Sequence, residues 1–103
     1  MTLYRRVLTG QVAPGEHGKF LAAVEAALDY QVQRGIQAQY SVWDSLTGNA
    51  SEVEIISEFE SLTELDQFEE LSSQDQEFAT LRSRVMQSMV FGSASVQLYR
   101  RMV

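Results

Sequence analysis

This sequence of 103 residues contains no cysteine and a single histidine. Without cysteine it can form no disulfide framework and no thiolate site, which fits a cytoplasmic protein. The commonest transition-metal sites need two or more cysteines or histidines, so we expect no such metal site. Glycine-rich phosphate loops and paired nucleophile-base motifs are also missing, and the sequence therefore predicts no cofactor.

Long apolar runs are missing as well, because none approaches the roughly 18 to 20 residues that a membrane span needs. The first six residues lack the apolar stretch and cleavage site of a signal peptide. The net charge of -6 and the pI near 4.6 argue against nucleic-acid and anionic-membrane partners, which require a cationic face. At 11.6 kDa, residues 1–103 are expected to form one domain.

Positive charge is absent from the middle of the chain, because no lysine or arginine lies between Arg34 and Arg82. That stretch carries most of the carboxylates, and the arginines lie on its flanks. A solvated acidic face is the ordinary explanation of such a run. The alternative is that the acidic region of one subunit meets the basic flanks of another.

The segments 36–46 and 52–60 are rich in β-branched and aromatic residues and are joined by a loop containing Gly48, which predicts a long β-hairpin. Further strands are predicted over 3–10 and 95–103. Pro14 suits the first turn of a helix that Gly35 would end. Ser61 and Glu64 form a capping-box pattern that starts a second helix at Leu62.

Capping residues at 72–76 interrupt the second helical pattern, where Ser73 with Gln76 could restart it. We therefore expect two short helices or one kinked helix in that region. The overall order is β-α-β-β-α-β, which predicts a ferredoxin-like α+β fold. Its four-stranded antiparallel sheet would have the order 4-1-3-2, with both helices on one face.

The other face of the sheet decides whether the chain is stable alone, because the helices leave it uncovered. Alternation in the hairpin predicts that aromatic and charged side chains lie there, and we expect two such faces to pack about a twofold axis. In the two outer strands, we assign the side chains of Tyr4, Arg6, Tyr99 and Arg101 to this same uncovered face. The expected dimer interface is Tyr4, Arg6, Gln39, Trp43, Glu54, Glu58, Tyr99 and Arg101. The alternative is that these charges pair within one sheet, with Arg6 opposite Glu54 or Glu58.

Three segments of the sequence, APGEHGKFLAAVEA after a strand, the 35–61 hairpin and SEFESLTELDQFEE, resemble the dimeric α+β barrel superfamily. The antibiotic-biosynthesis-monooxygenase-like and NIPSNAP-like domains are its most similar branches, and the likeness covers almost the whole chain. The resemblance implies a barrel of two facing sheets, with a ligand cavity between the sheet and helices of each subunit.

Members of this superfamily include cofactor-free oxygenases, haem-degrading enzymes, isomerases and proteins with no known activity. Many oxygenase and haem-binding members have a histidine in the second helix, whereas residues 62–90 of this chain contain none. The resemblance therefore argues against haem ligation here.

His17 and Asp44 are the candidate catalytic residues. His17 is the one side chain that titrates near neutrality without help, and Asp44 follows Trp43, whose ring could raise the pKa of a neighbouring carboxyl. A surface position is the simpler explanation of each. The candidate ligand pocket is Tyr40, Trp43, Phe59 and Met86, which core packing or dimer contacts would also explain.

Three functions remain open from the sequence. The chain could be a homodimeric, cofactor-independent monooxygenase-like or isomerase-like enzyme acting on a small aromatic or polyketide-like substrate. It could be a non-catalytic protein that binds a small apolar or aromatic ligand in the same cavity. It could also be a purely structural dimer, in which that cavity is filled by side chains.

Overall fold

The computed structural model describes residues 3–103. Their elements, in chain order, are β1 (Tyr4–Gln11), α1 (His17–Gln33), β2 (Gln39–Asp44), β3 (Glu52–Phe59), α2 (Leu62–Gln74), α3 (Gln76–Gln87) and β4 (Ser95–Arg100). The strands form an antiparallel sheet in the order β2-β3-β1-β4, which is the predicted 4-1-3-2 order read from the opposite edge. The predicted ferredoxin-like α+β fold is confirmed, with the second helical region divided into two helices.

The predicted hairpin is formed by β2 and β3, which pair from Gln39 opposite Glu58 to Asp44 opposite Val53. Its β2 strand begins later than position 36 because Ile36 takes part in the turn that closes the end of α1. The Ile36 amide donates to the Gln31 carbonyl at 3.1 Å, and Gly35 has a φ of 81°. Gly35 therefore ends α1 as predicted, since a left-handed φ is accessible to glycine without a steric penalty.

The beginning of α1 differs from the prediction, because the helix starts at His17 and not at Pro14. Pro14 and Gly15 form a turn in which the Glu16 amide donates to the Ala13 carbonyl at 3.0 Å. Gly15 has a φ of 79°, which is incompatible with a helical first turn. Proline at this position therefore belongs to the connection that precedes α1.

Two caps explain why the second helical region is divided. Ser61 accepts a hydrogen bond from the Glu64 amide at 3.2 Å, which confirms the predicted start of α2. Asp75 both ends α2 and begins α3: its amide donates to the Leu71 carbonyl, and its carboxylate accepts from the Phe78 amide at 3.0 Å. The residue that restarts the helix is therefore Asp75 and not Ser73.

The core lies between the sheet and the helices and is centred on packed aromatic rings. The Phe59 and Phe68 rings are 5.6 Å apart, and those of Phe68 and Phe78 are 6.1 Å apart. Burial of one such ring contributes roughly 1.5–3 kcal/mol to folding. In α1 the buried stripe continues to Gln31, whereas the adjacent Val32 is 62% exposed.

The predicted phase of β1 is wrong. Residues opposite each other in an antiparallel pair share a face, and Tyr4, Arg6 and Leu8 lie opposite Phe59, Ser57 and Ile55. Tyr4 and Arg6 therefore lie on the helix side and not on the open face where the predicted dimer interface places them. The register that puts the apolar residues of β3 against the helices also carries these β1 residues there.

The open face carries the other side chains of each strand. Its described members are Arg5, Val7, Thr9, Gln11, Gln39, Ser41, Trp43, Glu52, Glu54, Ile56, Glu58, Ser95, Gln97 and Tyr99. Gln39, Trp43, Glu54, Glu58 and Tyr99 are thus on the predicted face. Arg101 directly follows β4, where its amide donates to the Leu3 carbonyl at 2.8 Å. In the described part of the chain, no helix has the length and apolar content needed to span a membrane.

Candidate functional site

A cavity of about 250 Å³ lies between the sheet and the three helices. A cavity of roughly 150 Å³ lined by apolar side chains accommodates benzene, so this volume suits a bicyclic molecule. The cavity is lined by Arg6, Leu8, Val24, Ala27, Leu28, Gln31, Ile55, Ser57, Phe68, Phe78, Arg82, Val85, Met86 and Val96. Most of these side chains are aliphatic or aromatic, and a few polar groups are placed among them, as in typical ligand pockets.

Arg6 reaches the cavity from β1. Its guanidinium lies 5.0 Å from the centre of the Phe68 ring, a distance suited to a cation–π contact. Burial is the main reason that the pKa of Arg6 is lowered from its ordinary value; the Glu69 carboxylate opposes this effect and the Arg82 guanidinium adds to it. The group nevertheless keeps its charge at neutral pH, as arginine does in proteins.

Arg82 reaches the cavity from α3 and is exposed. Its guanidinium donates to the Ser72 carbonyl at 2.8 Å and lies 5.6 Å from the centre of the Phe78 ring. Arg82 is therefore held at the rim by a hydrogen bond to the end of α2. Arg6 and Arg82 are the charged residues of the lining, and both are cations.

Two uncharged polar residues complete the lining. Gln31 is 5% exposed, and its Oε1 atom has no hydrogen-bond partner among the described residues. Ser57, on β3, is 3% exposed and lies directly opposite Arg6 in the sheet. A buried amide oxygen without a partner costs about 1–3 kcal/mol. Gln31 therefore has an acceptor available for a ligand in this cavity.

The four predicted pocket residues do not lie together. Met86 lines the cavity, whereas Tyr40, Trp43 and Phe59 do not. Phe59 is fully buried in the core, and Trp43 lies on the open face, 59% exposed, with its ring nitrogen donating to the Ser41 hydroxyl at 2.9 Å. Alternation along β2 separates Tyr40 from Trp43, so the predicted grouping of these aromatics is wrong.

Tyr40 lies on the helix side of β2, opposite Ser57. Its hydroxyl is buried without a hydrogen-bond partner in the described part of the chain. Burial raises the pKa of Tyr40 to about 12, so the phenol stays protonated at neutral pH. In this state the hydroxyl cannot act as a base.

The two candidate catalytic residues lie outside the cavity lining. His17 is the first residue of α1 and is exposed, and Asp44 is the exposed last residue of β2. Asp44 also lies on the helix side of the sheet, opposite Val53, while Trp43 lies on the other face. Both residues therefore occupy the surface positions that the simpler explanation assigned to them.

Sequence reasoning missed Arg6, Gln31 and Ser57 as lining residues. Each is a polar residue at a position where the pattern of its helix or strand calls for an apolar, inward-facing residue. Gln31 continues the buried stripe of α1, and Ser57 lies between the inward-facing Ile55 and Phe59. Such a residue is a recognisable signal, because a polar group buried in a stripe needs a partner.

The open face is a second candidate site. Arg5 and Glu58 form an ion pair of 2.8 Å across β1 and β3. Between the charged residues, Val7 lies opposite Ile56. Trp43 and Tyr99 are 59% and 50% exposed on this face. A face with aromatic and aliphatic side chains beside charged ones is typical of protein interfaces.

No cluster of three or more histidine, cysteine or acidic side chains suited to a metal ion occurs in residues 3–103. No protein-family model matches the sequence, and no curated protein matches it either. Similarity to known proteins is therefore found in the structure alone.

Solved structures with the same fold cover nearly the whole chain. A conserved protein from Methanosarcina mazei has a TM-score of 0.78 and 19% identity, covering 99% of this chain and 95% of its own. A putative antibiotic biosynthesis monooxygenase from Bordetella bronchiseptica has a TM-score of 0.76 and 14% identity, with full coverage of both chains. A NIPSNAP family protein from Agrobacterium tumefaciens has a TM-score of 0.71 and 13% identity, covering 94% and 90%.

These likenesses define the class of the molecule by its fold. The chain has the ferredoxin-like α+β fold of proteins described as antibiotic biosynthesis monooxygenases and NIPSNAP family members. The resemblance predicted from the sequence is thus confirmed at the level of the fold. Identities below 20% carry no activity with them.

Proposed function

We propose that this protein is a homodimeric α+β barrel protein that binds a small apolar or aromatic ligand in the cavity between its sheet and helices. We further propose that it acts as a cofactor-independent monooxygenase on a small aromatic or polyketide-like substrate. The cavity itself carries the proposal, because a largely apolar space of about 250 Å³ inside so small a domain matches such a ligand. The fold shared with a putative antibiotic biosynthesis monooxygenase supports the reaction type.

The reaction needs no more than the substrate and O₂. An activated CH₂ group loses both hydrogens and becomes a carbonyl, one oxygen atom of O₂ enters the product, and the other leaves as water. The substrate supplies the electrons, and it does so more readily in its enolate or phenolate form. Arg6 and Arg82 favour such an anion by their charge, and the apolar walls keep water from the reacting carbon.

A non-catalytic ligand-binding protein is the second candidate function. The observation that favours it is the composition of the cavity lining, which includes no imidazole and no carboxylate. No side chain in this lining accepts a proton near neutral pH. A substrate would therefore have to lose its proton to water before it enters the cavity. Retention of a ligand without turnover is the distinguishing behaviour.

The homodimer is proposed from the uncovered face of the sheet. Helices cover one face only. The other face carries Val7, Ile56, Trp43 and Tyr99, surrounded by charged side chains. Twofold packing of this face against its copy would remove the exposed aromatic rings from water, at roughly 25 cal/mol per Å² of apolar surface.

The cavity can be tested by filling it. Ala27 is 6% exposed and lines the cavity, whereas its neighbour Ala26 is exposed and does not. We expect Ala27→Leu to abolish the thermal shift that naphthol or tetralone produces in the wild type, and Ala26→Leu to retain it. Equal shifts for both variants would show that the ligand binds elsewhere.

The reaction type is tested with the same compounds in metal-free buffer. Oxygen uptake that depends on the protein and is lost in Ala27→Leu would support the monooxygenase. Saturable binding without oxygen uptake would instead support the non-catalytic alternative. Absence of both binding and uptake would contradict the proposed function as a whole.

A further inference from the structure

The cavity contains a positive charge, that of Arg6, which has no direct ion-pair partner in the described structure; the Glu69 carboxylate acts on it only from a longer distance. Among residues 3–103, no carboxylate lies within 4.0 Å of the Arg6 guanidinium, although Arg5 and Arg34 pair with Glu58 and Asp75 at 2.8 and 3.3 Å. A charged group taken out of water is costly unless a counter-ion is present. Arg6 therefore has the surroundings of a side chain that meets its anion in a bound molecule.

The shape of the site limits where that anion can lie. The Phe68 ring covers one side of the Arg6 guanidinium at 5.0 Å, so hydrogen bonds are left to the edge of the group. Guanidinium edges bind carboxylates with two parallel N–H···O bonds. Arg82 lines the same cavity and adds positive potential at the rim, while one of its N–H groups is used by the Ser72 carbonyl.

Gln31 adds a second, independent requirement. Its side chain is buried to 5% exposure and lines the cavity, and its Oε1 atom has no partner in the described structure. An amide oxygen is an acceptor and is satisfied by a hydroxyl or N–H donor. A ligand that fits the whole lining therefore carries a donor on its apolar body besides the anionic group.

We propose that the cavity selects a small hydroxylated aromatic acid, whose carboxylate binds Arg6 and whose hydroxyl donates to Gln31. The inference rests on the proposed ligand-binding function and adds to it the substrate class. The apolar body of the ligand lies among the aliphatic residues of α1 and β3. Arg6 and Gln31 are the residues that determine specificity, and neither is required to transfer a proton.

Two probes of equal shape separate charge from size. Naphthoate is an anion at neutral pH, and acetylnaphthalene is its neutral isostere. By isothermal titration calorimetry we expect the wild type to bind naphthoate at least about tenfold more tightly, which is the range for a charge-assisted hydrogen bond. Equal affinities would overturn the charge assignment.

Arg6→Met removes the charge and keeps the length of the side chain. We expect this variant to bind naphthoate no better than acetylnaphthalene, with the affinity for acetylnaphthalene unchanged. Arg6→Lys should retain part of the preference for the anion. Arg84→Met is the matched control, because Arg84 is exposed on α3 and does not line the cavity.

A preserved tenfold preference for naphthoate in Arg6→Met would refute the role of Arg6. Should that variant fail to fold, Arg82→Met is used in its place, with a smaller loss of preference expected. Different results would reject the proposed ligand-binding function and the proposed preference for an acid. Binding of acetylnaphthalene that Ala27→Leu abolishes, without preference for the acid, keeps the cavity as a site and rejects the acid. Binding of neither probe rejects both.

The donor requirement is tested with hydroxynaphthoate against naphthoate. We expect the wild type to gain several-fold in affinity from the added hydroxyl and Gln31→Met to gain nothing. An identical gain in both proteins would overturn the role of Gln31. Gln33→Met is the control, because Gln33 lies two residues beyond Gln31 at an exposed position of α1 and does not line the cavity.

Discussion

Arg5 and Arg6 are neighbours on β1, yet their guanidinium groups lie on opposite sides of the sheet. Arg5 pairs with Glu58 at 2.8 Å on the open face, and Arg6 lies 5.0 Å from the centre of the Phe68 ring beside the cavity. The two-residue period of a β-strand is the cause. Substitutions at these two positions therefore test the two proposed sites separately.

Arg5→Glu is expected to weaken the proposed dimer. The change removes the ion pair with Glu58 and adds a further carboxylate to the open face, where like charges repel across the interface. We expect the dissociation constant from sedimentation to rise at least about tenfold, with ligand binding in the cavity unchanged. Arg84→Glu, on the exposed side of α3, is the control and should leave association unaltered.

The single tryptophan gives an independent measurement of the same interface. Trp43 is 59% exposed in the isolated chain, so face-to-face association should bury its ring and shift its emission to shorter wavelength as concentration rises. An emission maximum that is constant across the range in which sedimentation detects a dimer would contradict this arrangement and place the contact elsewhere.

Tyr40→Phe is expected to stabilise the protein. The Tyr40 hydroxyl is buried without a partner among residues 3–103, and removal of such a group recovers roughly 1 kcal/mol. Denaturation by urea at neutral pH measures the gain. Tyr99→Phe, on the exposed β4, should change the free energy of unfolding by less than this.

The same substitution alters the response to alkaline pH. Burial raises the pKa of Tyr40 to about 12, above the value near 10 of an unfolded tyrosine. Its contribution to stability is therefore fully present below about pH 10 and is lost as the pH rises through about 12. Tyr40→Phe should show a smaller loss over this window. An identical alkaline decline in both proteins would contradict burial of this phenol.

Asp75→Asn tests the charge at the break between α2 and α3. Hydrogen bonds from the Tyr30 hydroxyl and the Phe78 amide are the main causes that lower the pKa of Asp75, and Arg34 contributes to the same direction. Asparagine keeps an acceptor for the Phe78 amide, so the substitution removes charge and preserves the cap. We expect a lower melting temperature at neutral pH.

The pH dependence identifies the cause of that loss. A carboxyl with a lowered folded pKa stabilises the protein above its unfolded value of about 3.9, and this stabilisation disappears as the pH falls through the folded value. The difference between wild type and Asp75→Asn should therefore shrink below about pH 4. Asp66→Asn, at an exposed position of α2, is the control; a difference that persists at low pH would show that the amide disturbs the cap itself.

Local patterns were enough to predict most of the fold. Gly35 ends α1 because only a glycine adopts its φ of 81° without strain, and Ser61 caps α2 through the Glu64 amide. Both features depend on residues close in sequence. The hairpin likewise forms between strands that follow each other in the chain, so its alternation predicted the open-face positions of Gln39 and Trp43 correctly.

The phase of β1 could not be obtained in the same way. Tyr4, Arg6 and Leu8 alternate with Arg5, Val7 and Thr9, and each set mixes apolar and polar residues. Either face of β1 could therefore be the inner one by composition, and the outcome is decided by pairing with β3, about fifty residues away along the chain. The cavity could not be predicted from local patterns either, because it also depends on contacts between distant parts of the chain. Its lining is drawn from six elements, and Arg6 and Gln31 meet only after the sheet and α1 have packed.

The position of β4 has a consequence for how a molecule reaches the cavity. This strand pairs with β1 alone, all its residues are exposed, and its Val96 forms part of the cavity lining. Elements held by one neighbour and few buried contacts open at lower free energy than the rest of a domain. Separation of β4 from β1 would therefore widen the opening of the cavity, and the residence time of a ligand should follow the hydrogen-exchange protection of the β4 amides.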